Sequence, residues 1–474
     1  MKLEKKFGLI TAICMVVGIV IGSGVFYKAQ LILNKTSGNM PLGIVAWIIG
    51  GIIMVICACT FGIMATKYSK VNGLVDYAEV NVGKKYAFFM GWFMTTIYTP
   101  AMTSVLGWLS ARYFGEIFGW GASSIQVMIL GFGFLVGSFV LNVLSPKLAG
   151  KFQVSTTVIK LIPLILMAVV GIIYGLISTA VSYEVLENGQ IVKNGTNQMQ
   201  ILIHNFQNTG STSAKILLGA VVSTAFAYEG WILATSINAE LKNAKKNLPL
   251  ALFIGSIIII VIYILYYVGV AGGATVDVLM AEEGGAQIAF LQIFGDVFGT
   301  ILKVFVCISC LGTLNGLMIA CSRNLYSLAC RNEGPNPLLF EKINPRTNMP
   351  TASAVFALII CSVWYVYFYG ANLISPTWFG VFSFDSSELP IITIYTMYIP
   401  ILIMMIVRER KNFGVFKGVI LPILAIISCL FMTYAAIYAH GISVLFYLII
   451  YVIIMAIGLI FLLRKRPLQE VVPE

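Results

Sequence analysis

Charge is what this sequence has least of. Only 10% of its 474 residues are Asp, Glu, Lys or Arg, against 59% hydrophobic ones, where a soluble globular chain carries about 25% charged residues. That shortage excludes a water-soluble domain. Histidine is scarcer still, limited to His204 and His440, which leaves little from which to build a histidine metal centre or catalytic dyad. No H-E-x-x-H, G-x-S-x-G or P-loop pattern occurs, so the commonest signatures of hydrolytic and nucleotide-driven chemistry are missing. An enzyme is not expected, nor any metal or cofactor. Pro- or Ser-rich linkers and low-complexity stretches are also absent. The nine cysteines lie in or beside apolar segments, which argues against a disulfide scaffold. Cys307 and Cys310 share CxxC spacing, yet they sit inside an apolar run without further Cys or His and read as packing.

What is present is apolar length. The mean hydropathy is +0.94, and the chain accommodates roughly a dozen membrane helices of about 20 residues. Their expected places are 7–33, 41–66, 86–114, 123–144, 150–176, 215–239, 248–272, 298–329, 351–369, 388–408, 418–437 and 441–463. The first follows Lys2, Lys5 and Lys6 but is too long for a signal-peptide core and lacks a small-residue cleavage site, so it is expected to stay.

The net charge of +11 suggests nucleic acid until its distribution is considered. With an even number of crossings and both termini cytoplasmic, most Lys and Arg fall on one side, among them Lys67, Lys70, Lys84, Lys85, Lys147, Lys151, Lys242, Lys245, Lys246, Arg408, Arg410, Lys411, Arg464, Lys465 and Arg466. The opposite loops carry Glu184, Glu187, Asp277, Glu282, Glu283 and Asp385. This is the positive-inside pattern of a multi-pass protein of the cell membrane. It makes no case for nucleic acid.

Two interruptions stand out in this apolar background. Gly22-Ser23-Gly24 breaks the first segment, and Ala227-Tyr228-Glu229-Gly230 breaks the sixth. Unwinding a helix in lipid costs several kcal/mol per orphaned backbone group, so such breaks persist where they line a cavity or grip a ligand. A matched pair points to a transporter's substrate site. Freed N–H groups at the start of the second half-helix, where the dipole is positive, suit a carboxylate, with Ser23 adding a hydroxyl. Freed carbonyls around Phe226 and Ala227 suit an ammonium group. An α-amino acid carries both charges. The competing reading is that Gly-x-Gly only lets helices pack closely.

Ionisable residues at membrane depth are functional candidates. Lys160 in the fifth segment reads as tying that helix to the first break, with snorkelling as the alternative. Glu229 is open between attracting a cationic side chain, carrying a coupled proton and bonding the broken backbone. Glu388, at the start of the tenth segment, is a second candidate proton site, with solvation at the membrane edge as the other reading. Phe226 reads as a gating aromatic, whereas Tyr228 and Trp231 are open between gate and core.

The one long polar excursion, 182–213, contains Glu187-Asn188-Gly189-Gln190 between β-prone residues, a hairpin signal. It falls midway through the first ten helices. The expected architecture is therefore an all-α polytopic membrane protein of twelve helices. A first inverted repeat would span 1–181, a connecting external loop 182–214, a second repeat 215–410, and the last two helices with a cytoplasmic tail 411–474.

These residues resemble the amino acid–polyamine–organocation superfamily, and within it the L-amino-acid transporters and their bacterial exchangers. Ile21-Gly22-Ser23-Gly24-Val25-Phe26 is similar to the family's helix-one motif and Phe226-Ala227-Tyr228-Glu229-Gly230-Trp231 to its helix-six motif. Glu240-Leu241-Lys242-Asn243 with Lys246-Asn247-Leu248-Pro249, and Asn315-Gly316 with Ser322-Arg323 and Glu333-Gly334, follow in the family's order. The resemblance covers nearly the whole chain. It implies a five-plus-five inverted repeat with helices one and six discontinuous. Gly22, Ser23 and Gly24 would take the substrate carboxylate, and the backbone at Phe226, Ala227 and Glu229 the amino group. Ile21 and Tyr228 complete the implied binding set. Phe226 would be the external gate. Lys160 would replace a sodium ion, implying sodium-independent transport, commonly by exchange. Asn72-Gly73-Leu74-Val75-Asp76-Tyr77 fits the family's first internal loop only loosely, and Glu229 is one methylene longer than the aspartate of some members. Gly115 to Ser124 lacks the cysteine by which animal members join a glycoprotein, so no such heavy chain is expected. The protein is expected to be a monomer or weak homodimer.

The leading expectation is an exchanger of neutral, or also cationic, L-amino acids working by alternating access. Proton-coupled uptake of amino acids or polyamines through Glu229 or Glu388 is the alternative within transport. A non-transporting amino acid sensor is the alternative of another class, although the tail after Arg466 is short for a signalling segment.

Overall fold

The computed structural model describes residues 8–68, 73–185, 191–208, 212–235, 241–280 and 285–463. Lys2, Lys5, Lys6, Lys70, Asn72, Glu187, Asn188, Gly189, Gln190, Glu240, Glu282, Glu283, Arg464, Lys465 and Arg466 lie outside them, as do residues 236–239 of the sixth expected helix.

Helices dominate, as a backbone in lipid requires. The chain opens with α1 (Leu9–Val20) and α2 (Gly24–Lys35), bent by 53° across Ile21–Ser23. Then come α3 (Met40–Lys67), a short α4 (Leu74–Asn81), and α5 (Lys84–Phe93), which passes through a π-helical turn at Met94–Tyr98 into α6 (Thr99–Gly115). Next are α7 (Ile125–Leu144), α8 (Pro146–Ile159) and α9 (Leu161–Leu166), the last two meeting at Lys160, and α10 (Ile172–Ile177). Strands β1 (Thr179–Val185) and β2 (Ile191–Gln200) pair antiparallel, with Val185 opposite Ile191. The all-α expectation therefore needs amending by one strand pair. It flanks the expected hairpin turn, whose own residues lie outside the described set.

The second half starts with α11 (Ile201–Gln207), α12 (Ala214–Tyr228), α13 (Trp231–Ala234), α14 (Ala244–Ala271) and α15 (Val276–Met280). It continues with α16 (Gly285–Ala329), kinked at Gly295, α17 (Pro337–Phe340) and α18 (Thr351–Phe368). Last come α19 (Leu389–Val415), α20 (Leu421–His440) and α21 (Ser443–Leu463). Among the described residues, eight helices are long and apolar enough to cross a membrane, or nine if α1 and α2 form one bent span. Leu389–His440 is a single 52-residue stretch by that measure. It contains the expected tenth and eleventh helices, divided at Gly414, whose φ of 73° no straight helix allows.

The surface confirms the solvent. Ile129, Val154, Val158, Val363 and Ile460 are each more than half exposed, where a water-facing helix would carry charge. Inside, α14 packs on α3 and α1, and α16 on α6 and α8. Asn315, of the Asn315-Gly316 pair, is a buried polar node. Asn142 donates to its Oδ1 at 2.9 Å, and its own amide reaches Gln153 at 3.1 Å and the Ala149 carbonyl at 3.2 Å. Three helices are thereby held in one register.

Candidate functional site

Both breaks exist, and they touch. Ile21 leaves the helical region at φ −65°, ψ 107°, and α2 restarts at Gly24. A Cβ on Gly24 would lie 2.7 Å from the Ala227 Cα and 3.1 Å from the Phe226 carbonyl oxygen. The close-packing reading and the site reading of Gly-x-Gly are thus one feature. Glycine lets the start of one half-helix press against the end of another. Gly22 faces Thr313 of α16 instead, at 3.2 Å from its would-be Cβ.

The sixth break occupies the second half of the stretch that the sequence suggested. Helix α12 runs through Phe226, Ala227 and Tyr228; the chain unwinds at Glu229 (φ −70°, ψ 157°) and Gly230 (φ +104°). Phe226 and Ala227 still belong to the last helical turn, whose carbonyls have no intrahelical donor. Gly230 is the residue that a positive φ demands.

The orphaned groups find particular partners. Lys160, 5% exposed at the α8–α9 junction, donates from Nζ to the Gly18 carbonyl at 2.5 Å. That carbonyl is in the last turn of α1, the negative end of its dipole. The Tyr263 hydroxyl of α14 lies 3.0 Å from the Ala227 carbonyl and 3.2 Å from that of Val20. One proton is shared between the C-terminal ends of the two half-helices. The N–H groups of Gly24, Val25 and Phe26 open α2, where helical acceptors are lacking. Ser23 is fully buried, and its hydroxyl meets no oxygen or nitrogen partner among the described residues, with the Cys310 thiol nearby.

The aromatic residues divide. Phe226 meets Tyr27 edge-to-face at 6.2 Å, and the Lys28 ammonium stands 5.1 Å from its ring centre. Tyr228 stacks on Tyr263 at 5.2 Å and bonds the Trp47 carbonyl at 2.9 Å, so it is core. Trp231 packs on Phe61 and Tyr398 and is core as well. Glu229 accepts from Tyr98, the residue that closes the π-helical turn, and the Gly230 N–H lies close. Its Oε2 makes no hydrogen bond of ordinary geometry among the described residues.

Glu388 loses one of its two sequence readings, solvation at the membrane edge. It is not solvated at a membrane edge; it is fully buried and ion-paired at 2.8 Å with the fully buried Lys28. Lys28 was missed, although an ionisable residue in the first apolar segment is a signal in itself. Tyr98 and Tyr263 were missed as well, and nothing local marks either. At the opposite end of the bundle Arg331 pairs with Asp76 and with Glu79 at 3.1 Å, and Lys67 with Glu409 at 2.5 Å. The junction of the two breaks lies between these sets of ion pairs. A separate cavity of about 540 Å³ on the flank, lined by Trp92, Phe356, Trp364, Phe384, Ile454 and Phe461, is apolar and holds nothing for a zwitterion.

Residues 7–461 match the amino acid permease family model. The chain belongs to that family, within the amino acid–polyamine–organocation superfamily. It is similar to the serine/threonine exchanger SteT of Bacillus subtilis, 28% identical over 440 residues, which cover 91% of this chain and 90% of that protein. The human cystine/glutamate transporter is 25% identical over 357 residues, 75% of this chain and 66% of that one. The human b(0,+)-type amino acid transporter 1 is 25% identical over 375 residues, 77% and 70% respectively. Family and relatives make this permease a multi-pass membrane transporter of amino acids, and not an enzyme.

Proposed function

We propose that this permease is a sodium-independent exchanger of neutral L-amino acids, admitting some cationic ones, that works by alternating access in the cell membrane. The observation that carries this is the contact of Gly24 with Phe226 and Ala227. It sets the first N–H groups of one half-helix beside the last carbonyls of another, and a zwitterion's carboxylate and ammonium suit those two ends. The substrate carboxylate would lie on the backbone of Ile21, Gly22, Ser23 and Gly24, and the ammonium on the carbonyls of Phe226, Ala227 and Glu229. The sequence expectation had included Tyr228 in this set; its packing against Trp47 and Tyr263 supports a role behind the site. Sodium independence is supported by Lys160, whose ammonium already neutralises the end of α1.

The assignment carries an architecture with it. We infer twelve crossings, with α1–α10 as the first repeat (1–181), 182–214 as an external loop, 215–410 as the inverted second repeat, and 411–474 completing the chain with both termini cytoplasmic. The absence of cysteine from Gly115 to Ser124 supports a transporter working without a disulfide-linked heavy chain, as a monomer or weak homodimer.

A thermal-shift screen of amino acids and amines tests the ligand class, since a ligand at about 100 times its Kd stabilises by roughly 2.7 kcal/mol. Counterflow in proteoliposomes then tests the mode. Uptake should require internal amino acid and ignore replacement of sodium. The second reading is proton-coupled uptake, favoured by the buried Glu229, whose Oε2 has no hydrogen bond of ordinary geometry among the described residues. It requires uptake into empty vesicles driven by a pH gradient.

A further inference from the structure

We propose that the hollow between α18 and α21 is a lipid site, which takes an acyl chain of an anionic glycerophospholipid and couples its occupancy to the sixth break. Two helices turn apolar stripes toward this one cavity of about 540 Å³. On α18 they are Phe356, Ile360, Val363, Trp364 and Tyr367, and on α21 Ile450, Ile454, Ile457 and Phe461. Both sets recur at three- and four-residue intervals, so each is one face of its helix. Helix α21 buries only Tyr447, which meets Phe384 at 5.1 Å, and Gly458, whose would-be Cβ lies 2.5 Å from Trp92. It leans on the bundle at two points, and the hollow lies along the face between.

The walls offer water nothing. Trp364 Nε1 donates to the Thr96 carbonyl at 2.8 Å, and Trp92 Nε1 to that of Ile454 at 2.9 Å. The Thr96 hydroxyl donates to the Trp92 carbonyl at 2.7 Å, and the Tyr367 hydroxyl to the Phe382 carbonyl at 2.7 Å. These four are the polar side chains of the wall, and each spends its proton on backbone. A buried water needs two to four polar partners. Hydrocarbon needs none, and Val363, Ile453 and Ile457 beside the hollow are exposed to the bilayer that supplies it.

Length and charge narrow the occupant. From Phe356 to Tyr367 the stripe runs about 16 Å at a rise of 1.5 Å per residue, close to one leaflet of a ~30 Å hydrocarbon core. One end is basic. Helix α5, which carries Trp92, begins with the exposed Lys84 and Lys85, and Arg464, Lys465 and Arg466 follow α21 in the sequence. Cations at that level attract an anionic headgroup.

The link to the break is a short relay. Thr96, whose carbonyl takes the Trp364 N–H, lies in the π-helical turn Met94–Tyr98, and Tyr98 donates to Glu229. An acyl chain that presses on Trp364 therefore bears on the turn that holds the break. This part of the proposal rests on the transport reading given above.

Protein in phosphatidylcholine vesicles would receive a trace of phosphatidylglycerol bearing a diazirine midway along its acyl chain. After illumination, adducts are mapped by peptide mass spectrometry. They should concentrate on 356–367 and 450–461, and unlabelled phosphatidylglycerol should compete about tenfold better than phosphatidylethanolamine. Ile360→Trp, which fills the hollow, should cut these adducts about tenfold. Adducts spread evenly over the exposed faces of α7 and α20 overturn the site, as does equal competition by the zwitterionic lipid. Shielding of 450–461 in a dimer seen by size exclusion assigns the hollow to a second copy and also overturns it. If Ile360→Trp does not fold, the wild-type map and the competition carry the test. For the coupling, Trp364→Phe keeps an aromatic wall but loses the bond to Thr96. Added phosphatidylglycerol should raise wild-type exchange about fivefold and leave that of Trp364→Phe unchanged; an equal rise in both overturns the coupling. The adduct map needs no transport, so failure of exchange under every lipid strikes the function proposed above and not the lipid site.

Discussion

The ammonium of Lys160 lies 2.5 Å from the carbonyl oxygen of Gly18, across 142 residues of sequence. A cation at that point serves the broken helix twice. It satisfies a carbonyl that the break left without a donor, and it faces the negative end of the α1 dipole. A charge-assisted hydrogen bond of this kind is worth about 1.5–3 kcal/mol. Lys160→Ala should therefore lower exchange in proteoliposomes by about one to two orders of magnitude while the size-exclusion profile stays monodisperse. Unchanged exchange kinetics would leave Lys160 without a part in the cycle.

Gly24 and Gly22 should respond differently to the same methyl group. At Gly24 the added carbon meets backbone, the Ala227 Cα at 2.7 Å, which cannot step aside. At Gly22 it meets the Thr313 side chain at 3.2 Å, which has room to turn. Gly24→Ala should lower thermal stability by an amount typical of overpacking, about 1–3 kcal/mol, and abolish exchange. Gly22→Ala should retain measurable exchange. Equal behaviour of the two variants in a melting and uptake assay would argue against a tight junction at Gly24.

Ser23→Trp places an indole where a buried hydroxyl has only a thiol nearby. Amino acid binding measured by scintillation proximity should disappear, with affinity falling beyond the roughly tenfold that ~1.4 kcal/mol represents. Retained affinity would move the carboxylate site away from the first break.

Glu229→Gln keeps the shape of the side chain and its bond from Tyr98 but removes the charge. The ranking of cationic against neutral amino acids in a thermal-shift panel should change, cationic ones losing about tenfold in apparent affinity if their charge meets this carboxylate. An identical panel in both proteins would confine Glu229 to holding the break. If the variant instead makes uptake insensitive to a pH gradient that drives the wild type, the proton-coupled reading replaces exchange.

Much of the site was legible because its signals are local. Gly22, Gly24 and Gly230 interrupt apolar runs, and an interruption in lipid is visible wherever it occurs. Lys160 announced itself by being charged at depth. The structure narrows the sixth break to the last two of the four residues expected, since Ala227 and Tyr228 are acceptable helix formers and only Gly230, at φ +104°, is obliged to be where it is. Solvation stays open for Glu388 in the sequence because a carboxylate before a proline at the start of a helix has the local look of a solvated end. Its burial depends on Lys28, 360 residues earlier.

The solvent, the family and the places where two helices come apart are all written in local pattern, because hydropathy and glycine act through the backbone of their own segment. Which groups meet is settled by packing: Tyr263 between two half-helix ends, Tyr98 on Glu229, and four donors on one buried Glu388. Contacts of that kind join residues on separate helices, and their energies depend on burial and distance. Neither quantity exists until the helices are packed.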